Sequence, residues 1–236
     1  MFKPILFNSE MVKAILDGRK TQTRRLVRPQ PVFNEGESGV PVRCDDDSFI
    51  FQIMPYECIY EQGRIPPCLS GDILWVRETW CPCASIDSYL DDKKLFAYRA
   101  DYGEHCSVSW KWRPSIHMPK EAARIFLLVK DVRIERLRDV TEEAALAEGM
   151  PEDLDYPIAP VYCPRCKGEG LIGSHDGHGF IEADCPMCDT AMKRFSNLWN
   201  STLKKADFEK YGWEANPWVW VIEFERCDKP EGWCKK

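Results

Sequence analysis

Residues 216–225 read NPWVWVIEFE, and this segment gives the clearest indication of the fold. Valine, isoleucine, phenylalanine and tryptophan favour strands, and Pro217 stands at the start, where a missing N–H costs no ladder hydrogen bond. Trp218 and Trp220 are two residues apart, so an extended chain places both side chains on one face. Such a pair is also suited to stacking on a nucleobase. We expect a β-strand whose tryptophans pack in the core.

The other predicted elements are short. Further strands are predicted over residues 3–7, 71–80, 95–100 and 124–137, the last with a bulge near Asp131. Helices are predicted from the N-cap Ser9 to Gly18, from the N-cap Thr141 to Gly149, and over residues 189–205. Strands dominate and no βαβ alternation appears. The pattern therefore predicts an α+β protein, with a small barrel or a curled sheet and attached helices.

One long stretch lacks such signals. Residues 29–69 are rich in proline and contain the acidic run DDD at 45–47. We expect an irregular insertion on the core domain, with the three aspartates in a solvated loop.

Composition narrows the classes of function. The chain has 236 residues, twelve cysteines and a formal net charge of −6. This charge excludes a uniformly basic binder of nucleic acid, so any contact with RNA must come from a local patch. No apolar run approaches the roughly 20 residues that span a bilayer, and the first residues lack the apolar length of a signal peptide. We expect a cytoplasmic protein without a membrane partner, and the sequence predicts no oligomeric state.

The most specific chemical pattern is a pair of cysteine knuckles. Cys163 and Cys166 form the first, Cys185 and Cys188 form the second, and eighteen residues separate the two. Four thiolates at this spacing suit tetrahedral Zn²⁺, and they leave no open position for water, which indicates a structural site. An iron centre has the same ligand set, so the spacing leaves zinc and iron open. The knuckles define an inserted module over residues 157–189.

A basic segment follows the first predicted helix. Residues 18–25 read GRKTQTRR, and together with Lys13 and Arg28 they make a local basic patch. A turn with lysine, threonine and arginine side chains suits an anion or a nucleobase, and it can supply a reactive amine. The alternative is a solvated helix end followed by a loop.

The spacing Gly18-x-Lys20-x-x-Thr23-x-Arg25 resembles the signature of the ASCH domain, which has a PUA-like fold. Three further stretches resemble that family in the same order: residues 71–74, 141–150 and 217–225. The resemblance implies a PUA-like small β-barrel with flanking short helices, built from residues 1–156 and 190–236. The stretch 29–69 and the cysteine module lie outside it. The chain also resembles phage- and prophage-encoded members of the family.

Within that family, the chain resembles a branch that hydrolyses the amide of N4-acetylcytidine with a lysine, a threonine and a glutamate. Position by position, these residues fall on Lys20, Thr23 and Glu148. Amide hydrolysis needs a nucleophile or base, a proton for the leaving amine and stabilisation of an oxyanion. Lys20 can accept a proton once burial and nearby cations lower its pKa, while Thr23 attacks or orients the substrate. Candidate substrate-binding residues are Arg19, Thr21, Arg24, Arg25 and Tyr98.

Two other functions remain open at this point. In the first, the same residues bind RNA or a modified base without turnover, and the zinc module extends the contact surface. In the second, the chain is a ribonuclease, an activity known for some members of the family. The sequence offers no clear metal–carboxylate cluster for that chemistry. The implied partner is in each case a nucleoside or RNA.

Overall fold

The computed structural model describes residues 1–54, 58–83, 95–102, 111–152, 163–166, 171–175 and 180–233. The strands are β1 (Phe2–Leu6), β2 (Gln22–Leu26), β3 (Ser38–Arg43), β4 (Phe49–Met54), β5 (Cys58–Arg64), β6 (Ile73–Arg77), β7 (Trp80–Cys83), β8 (Leu95–Tyr98), β9 (Phe126–Arg136), β10 (Leu171–His175), β11 (Phe180–Asp184) and β12 (Trp218–Cys227). The helices are α1 (Ser9–Leu16), α2 (Arg99–Tyr102), α3 (Glu142–Ala147), α4 (Ala191–Ser201) and α5 (Phe208–Tyr211). The predicted α+β class is confirmed.

The described chain divides into two compact units. The first comprises Met1–Gly18, Ser70–Lys130 and Phe224–Lys236, and the second comprises Arg19–Leu69 and Asp131–Glu223. The predicted boundaries of the cysteine module stay a prediction, because residues 153–162, 167–170 and 176–179 lie outside the described residues.

In the first unit, β1 runs parallel to β6, β6 pairs antiparallel with β9, and β7 and β8 form a hairpin. Its core is aromatic: Trp80, Met118, Phe126 and Trp233 are buried together. The helix α1 begins one residue away from the prediction, because Asn8 rather than Ser9 is the N-cap and accepts a hydrogen bond from Met11 N.

In the second unit, β2 pairs antiparallel with β12, so that Thr23 lies opposite Ile222 and Arg25 lies opposite Trp220. The helices α3 and α4 cover a core that includes Leu137, Phe195 and Val221. The hairpin of β10 and β11 lies in the chain between the two cysteine turns.

Two sequence expectations need correction. Strand neighbours among the described residues follow the order β1-β6-β9-β12-β2, and the two end strands do not pair, so the expected closed barrel is absent there. The insertion 29–69 is not irregular, because β3, β4 and β5 form an antiparallel meander. Residues 124–137 contain the single long strand β9, which confirms the strand predicted there. Its buried positions change parity from Val129 to Val132, close to the predicted bulge.

The meander of β3, β4 and β5 explains why Trp218 and Trp220 are buried. Phe49 and Phe51 are two positions apart on β4, so both side chains lie on its buried face. The ring of Phe49 lies 5.3 Å from that of Trp220, and the ring of Phe51 lies 5.1 Å from that of Trp218. Both tryptophans are buried, which confirms their predicted role in the core. The predicted acidic loop is the turn between β3 and β4, where Asp46 accepts hydrogen bonds from Ser48.

Candidate active site and metal centre

The start of β2 is attached to the end of α3, and both belong to the second unit. Thr141 caps α3 by accepting a hydrogen bond from Ala144 N, and Gly149 ends the helix with φ of 93°. Glu148 lies at the C-cap, where its backbone forms an antiparallel bridge with Lys20. Thr21 N donates to the carbonyl of Ala147 at 2.9 Å. Local helix termination therefore brings Glu148 beside the basic segment.

Lys20 and Glu148 form a buried ion pair. Lys20 Nζ lies 2.7 Å from Glu148 Oε2, and it also donates to the Glu148 carbonyl at 2.8 Å. Lys20 is 2% exposed and Glu148 is 3% exposed. Desolvation of two charges is costly, and it is offset only when the partners are close and further hydrogen bonds satisfy them. This pair meets both conditions.

A third buried charge completes the cluster. Arg24 Nη1 lies 3.2 Å from Glu148 Oε1, and Nη2 lies 3.2 Å from Glu135 Oε2. The guanidinium also lies 5.7 Å from the centre of the Phe195 ring. Within the described part of the chain, Arg24 Nε is a buried donor without a hydrogen-bond partner. Such an atom is costly to leave unsatisfied, so the Arg24 guanidinium retains one donor that the cluster does not use.

The surroundings of Lys20 lower its pKa. Burial is the largest cause, and the positive charges of Arg25 and Arg24 act in the same direction, whereas Glu148 opposes them. Burial likewise lowers the pKa of Arg25, and Glu148 again opposes the change. Deprotonation to the neutral amine therefore costs less free energy for Lys20 than for an exposed lysine.

Thr23 occupies a different position from the ion pair. It is buried on β2, but side chains alternate along a strand, so Thr23 shares a side with Arg25 rather than with Arg24. The structure thus joins Lys20 and Arg24 through Glu148, whereas the Thr23 side chain lies on the other side of β2 from Arg24. The predicted basic surface patch is wrong for Lys20 and Arg24, which are both buried.

The remaining predicted residues have other contacts. Arg19 Nη1 donates to the Gly149 carbonyl at 2.8 Å, and the Thr21 side chain is exposed. Tyr98 belongs to the first unit, where its hydroxyl donates to the Ala122 carbonyl at 2.6 Å and Arg124 stacks on its ring. Burial raises the pKa of Tyr98 to about 12.

Sequence reasoning missed Glu135 and Arg133. Glu135 contacts Arg24, and Arg133 Nε lies 2.5 Å from Glu135 Oε1. Both residues lie on β9, 13 and 15 residues before Glu148, in a stretch where charged residues are common. No spacing rule separates these two from exposed strand residues, so only the tertiary contact identifies them.

The four knuckle cysteines lie together in the second unit. Their sulfur atoms are all within 4.8 Å of one another, and all four residues are buried. Cys163 Sγ lies 3.7 Å from Cys185 Sγ, and Cys166 Sγ lies 3.4 Å from Cys188 Sγ. These distances are too long for a disulfide bond of about 2.05 Å. Four sulfurs bound to Zn²⁺ at about 2.3 Å would be about 3.8 Å apart, which these positions fit.

Charge supports the same interpretation. Burial raises the pKa of the Cys185 and Cys188 thiols in the protein alone. Thiolates at such a place need a compensating cation, and a divalent metal supplies it. The cluster can therefore hold a metal ion.

Comparison with models of protein families, with curated proteins and with solved structures finds no match to this chain. Every helix among the described residues is too short or too polar to span a bilayer.

Proposed function

We propose that the chain is an ASCH-type hydrolase that cleaves the amide of an N4-acylated cytidine, as a nucleoside or within RNA. The observation that carries the proposal is the buried contact between Lys20 Nζ and Glu148 Oε2 at 2.7 Å, with Arg24 on the other carboxylate oxygen. The resemblance of the segment 18–25 to the ASCH signature supports the substrate class. It also supports a PUA-like origin for the fold, although the described strands form no closed barrel.

The pair can relay a proton. A lysine and a glutamate 2.7 Å apart exist either as ammonium and carboxylate or as amine and carboxylic acid. Burial disfavours charge, so it reduces the free-energy difference between the charged pair and the neutral pair. In the proposed reaction, water loses a proton to the pair while its oxygen bonds to the acyl carbon. The pair then returns a proton to the N4 nitrogen as the C–N bond breaks. The products are the carboxylic acid and cytidine.

In this reaction the arginines stabilise the transition state. Addition of water places a negative charge on the acyl oxygen, which fixed cationic donors stabilise best where water is excluded. Arg24 is buried and keeps its Nε donor unused among the described residues, and Arg25 adds a second positive charge near Glu148. We assign Thr23 to orienting the substrate through its hydroxyl, since its side of β2 is shared with Arg25.

The test is product formation by the purified full chain with N4-acetylcytidine and with an oligonucleotide that contains it. We expect Lys20→Met and Glu148→Gln each to lower kcat by about 100-fold or more, because each removes a proton-transfer group. Lys130→Met is the matched control, since Lys130 forms an exposed ion pair with Glu225. Equal turnover in the wild type, both variants and the control would refute the roles of Lys20 and Glu148, and no release of cytidine by the wild type would refute the hydrolase.

One observation favours a second candidate, a binding module for RNA or a modified base. Lys20 donates two hydrogen bonds to Glu148, which suits a charged ammonium that holds β2 to α3 rather than a reactive amine. In that case the cluster recognises a ligand oxygen through Arg24 and no product forms. Binding of N4-acetylcytidine without cytidine release, at saturating ligand and long incubation, would identify this function.

We also propose that the four-cysteine cluster holds structural Zn²⁺ in a cytoplasmic protein. Four thiolates complete a tetrahedral shell, so the ion would supply folding energy and not a bound water. The two knuckles would each contribute two ligands, and no step of the amide hydrolysis would involve the metal.

A further inference from the structure

A buried arginine connects the metal centre to the segment that carries Glu148. Arg194 of α4 is 4% exposed. Its Nε donates to the Cys188 carbonyl at 2.8 Å, Nη2 donates to the Asp189 carbonyl at 3.2 Å, and Nη1 donates to the Pro151 carbonyl. The same guanidinium therefore binds the second cysteine turn and a residue three positions after Glu148.

Arg194 is unusual because its side-chain hydrogen bonds, within the described residues, go to backbone carbonyls and not to a carboxylate. A buried cation normally requires a compensating negative charge. Zn²⁺ with four thiolates has a net charge of −2, and such a centre would lie directly beside the Cys188 carbonyl that Arg194 binds. The loaded metal centre thus supplies the countercharge that the buried guanidinium needs.

The segment of Glu148 is fixed to α4 at both of its ends. At the start of α3, the Glu142 carboxylate accepts hydrogen bonds from Ala191 N and Met192 N, the first amides of α4. After the end of α3, the Pro151 carbonyl binds Arg194. The first turn of α4 directly follows the knuckle of Cys185 and Cys188. Movement of that knuckle would be transmitted to both ends of the segment.

We propose that the metal centre positions Glu148 against Lys20 through Arg194, so that loss of the metal opens the Lys20–Glu148 pair without unfolding the protein. Arg194 is a positioning residue in this scheme. The consequence for turnover rests on the proposed function, but the structural link does not. Removal of Zn²⁺ frees the knuckle of Cys185 and Cys188, whose Cys188 carbonyl and neighbouring Asp189 carbonyl accept two of the hydrogen bonds of Arg194, so the hold of the guanidinium on Pro151 weakens.

The first experiment measures the accessibility of Lys20 in the wild-type chain. The zinc-loaded protein, the protein treated with a chelator, and the protein reloaded with zinc are each exposed briefly to an amine-reactive acyl ester and to iodoacetamide, followed by peptide mass spectrometry. We expect acylation of Lys20 to rise about tenfold or more on zinc removal and to fall again on reloading, as for local opening. The buried Cys68, which belongs to the same unit, reports general unfolding.

Two results would overturn the proposal. One is a Lys20 that stays protected in the zinc-free protein. The other is joint labelling of Lys20 and Cys68, which would mean that the metal holds the whole unit. These readouts need no turnover, so a failure of the proposed hydrolase leaves them interpretable.

The second experiment uses Arg194→Met with zinc still bound, as measured by elemental analysis. We expect Lys20 to become labelled while Cys68 stays protected, and Arg194→Lys to restore part of the protection because it retains the charge. Arg165→Met is the control, since Arg165 lies in the first knuckle but is exposed. A zinc-loaded Arg194→Met protein with a protected Lys20, or one that labels Cys68 as well, would refute the link.

Discussion

Arg24 contacts Glu135 at the point where the buried charge cluster reaches solvent. The distance between Nη2 and Oε2 is 3.2 Å, and the side chain of Glu135 is 25% exposed whereas that of Arg24 is 1% exposed. The alternating charges run from Lys20 through Glu148 and Arg24 to Glu135, and on to Arg133. Solvent therefore screens only the outer part of this chain of ion pairs.

The same Glu→Gln substitution should change the free energy of unfolding by different amounts at a buried and at a partly exposed position. Both Glu135→Gln and Glu148→Gln remove one carboxylate from Arg24. We expect Glu148→Gln to lower the free energy of unfolding by about 3–5 kcal/mol, because it removes the carboxylate that pairs with the buried Lys20 and leaves Arg24 with Glu135 alone. Glu135→Gln should cost about 1 kcal/mol or less, because water replaces the lost partner. Urea unfolding of the two variants measures the difference, and equal losses would contradict the burial argument.

The lowered pKa of Lys20 should appear in the pH dependence of stability. The unfolded chain keeps the ordinary lysine pKa of 10.5, whereas the folded pKa is lower. Between these two values the unfolded state binds more protons, so the free energy of unfolding contributed by Lys20 rises with pH. Below the folded pKa both states are protonated and the slope vanishes.

The measurement compares wild type with Lys20→Met by urea unfolding from about pH 7 to about pH 10. Titration of the cysteines occurs in both proteins and cancels in the difference. We expect the stability of the wild type relative to the variant to increase toward the alkaline end. A flat difference would mean that Lys20 keeps its ordinary pKa, and a difference that falls with rising pH would mean that folding raises the pKa of Lys20.

Metal content should distinguish the four knuckle cysteines from the other thiols. We expect elemental analysis to find one zinc per chain, and Cys185→Ser to lower that content and the thermal stability together. Cys44→Ser is the control, because Cys44 is only partly buried and lies apart from the cluster. A coloured protein that contains iron would assign the same ligands to the other metal.

If the chain binds RNA through the basic segment, the affinity should depend on salt. Each phosphate that a cation contacts contributes about −0.7 to the slope of log K against log salt concentration for single strands. Arg25→Gln should weaken binding and make the slope shallower by about that amount. Arg138→Gln serves as control, since Arg138 pairs with Glu214 at the surface. An unchanged slope in Arg25→Gln would remove Arg25 from the RNA contact.

Sequence reasoning succeeded where local chemistry decides the structure. Thr141 and Gly149 bound α3 as their capping and turn preferences require, and Trp218 and Trp220 are buried as the parity of their strand predicts. The cysteine spacing anticipated a cluster because each knuckle is a local turn. For α3 and for each cysteine knuckle, the interaction that fixes the element lies within a few residues of it.

The sequence failed where distant partners decide the structure. The strand β2 reads QTRRL, which has no apolar alternation, and it forms because β12 and α3 satisfy its polar groups. The meander of β3 to β5 was missed because its prolines and aspartates hide the alternation of Phe49, Phe51 and Ile53. Burial of Arg24 depends on Glu135 and Glu148, more than 100 residues away.

The buried cluster also restricts how the sequence can change over time. Lys20, Arg24 and Glu148 compensate one another in a place that solvent does not reach. Replacement of Glu148 alone removes the countercharge that Lys20 and Arg24 share, whereas a joint replacement by apolar residues of similar volume can be neutral. We expect positions 20, 24 and 148 to covary in homologous chains, and a lineage that has lost one of the three charges to have lost the others with it.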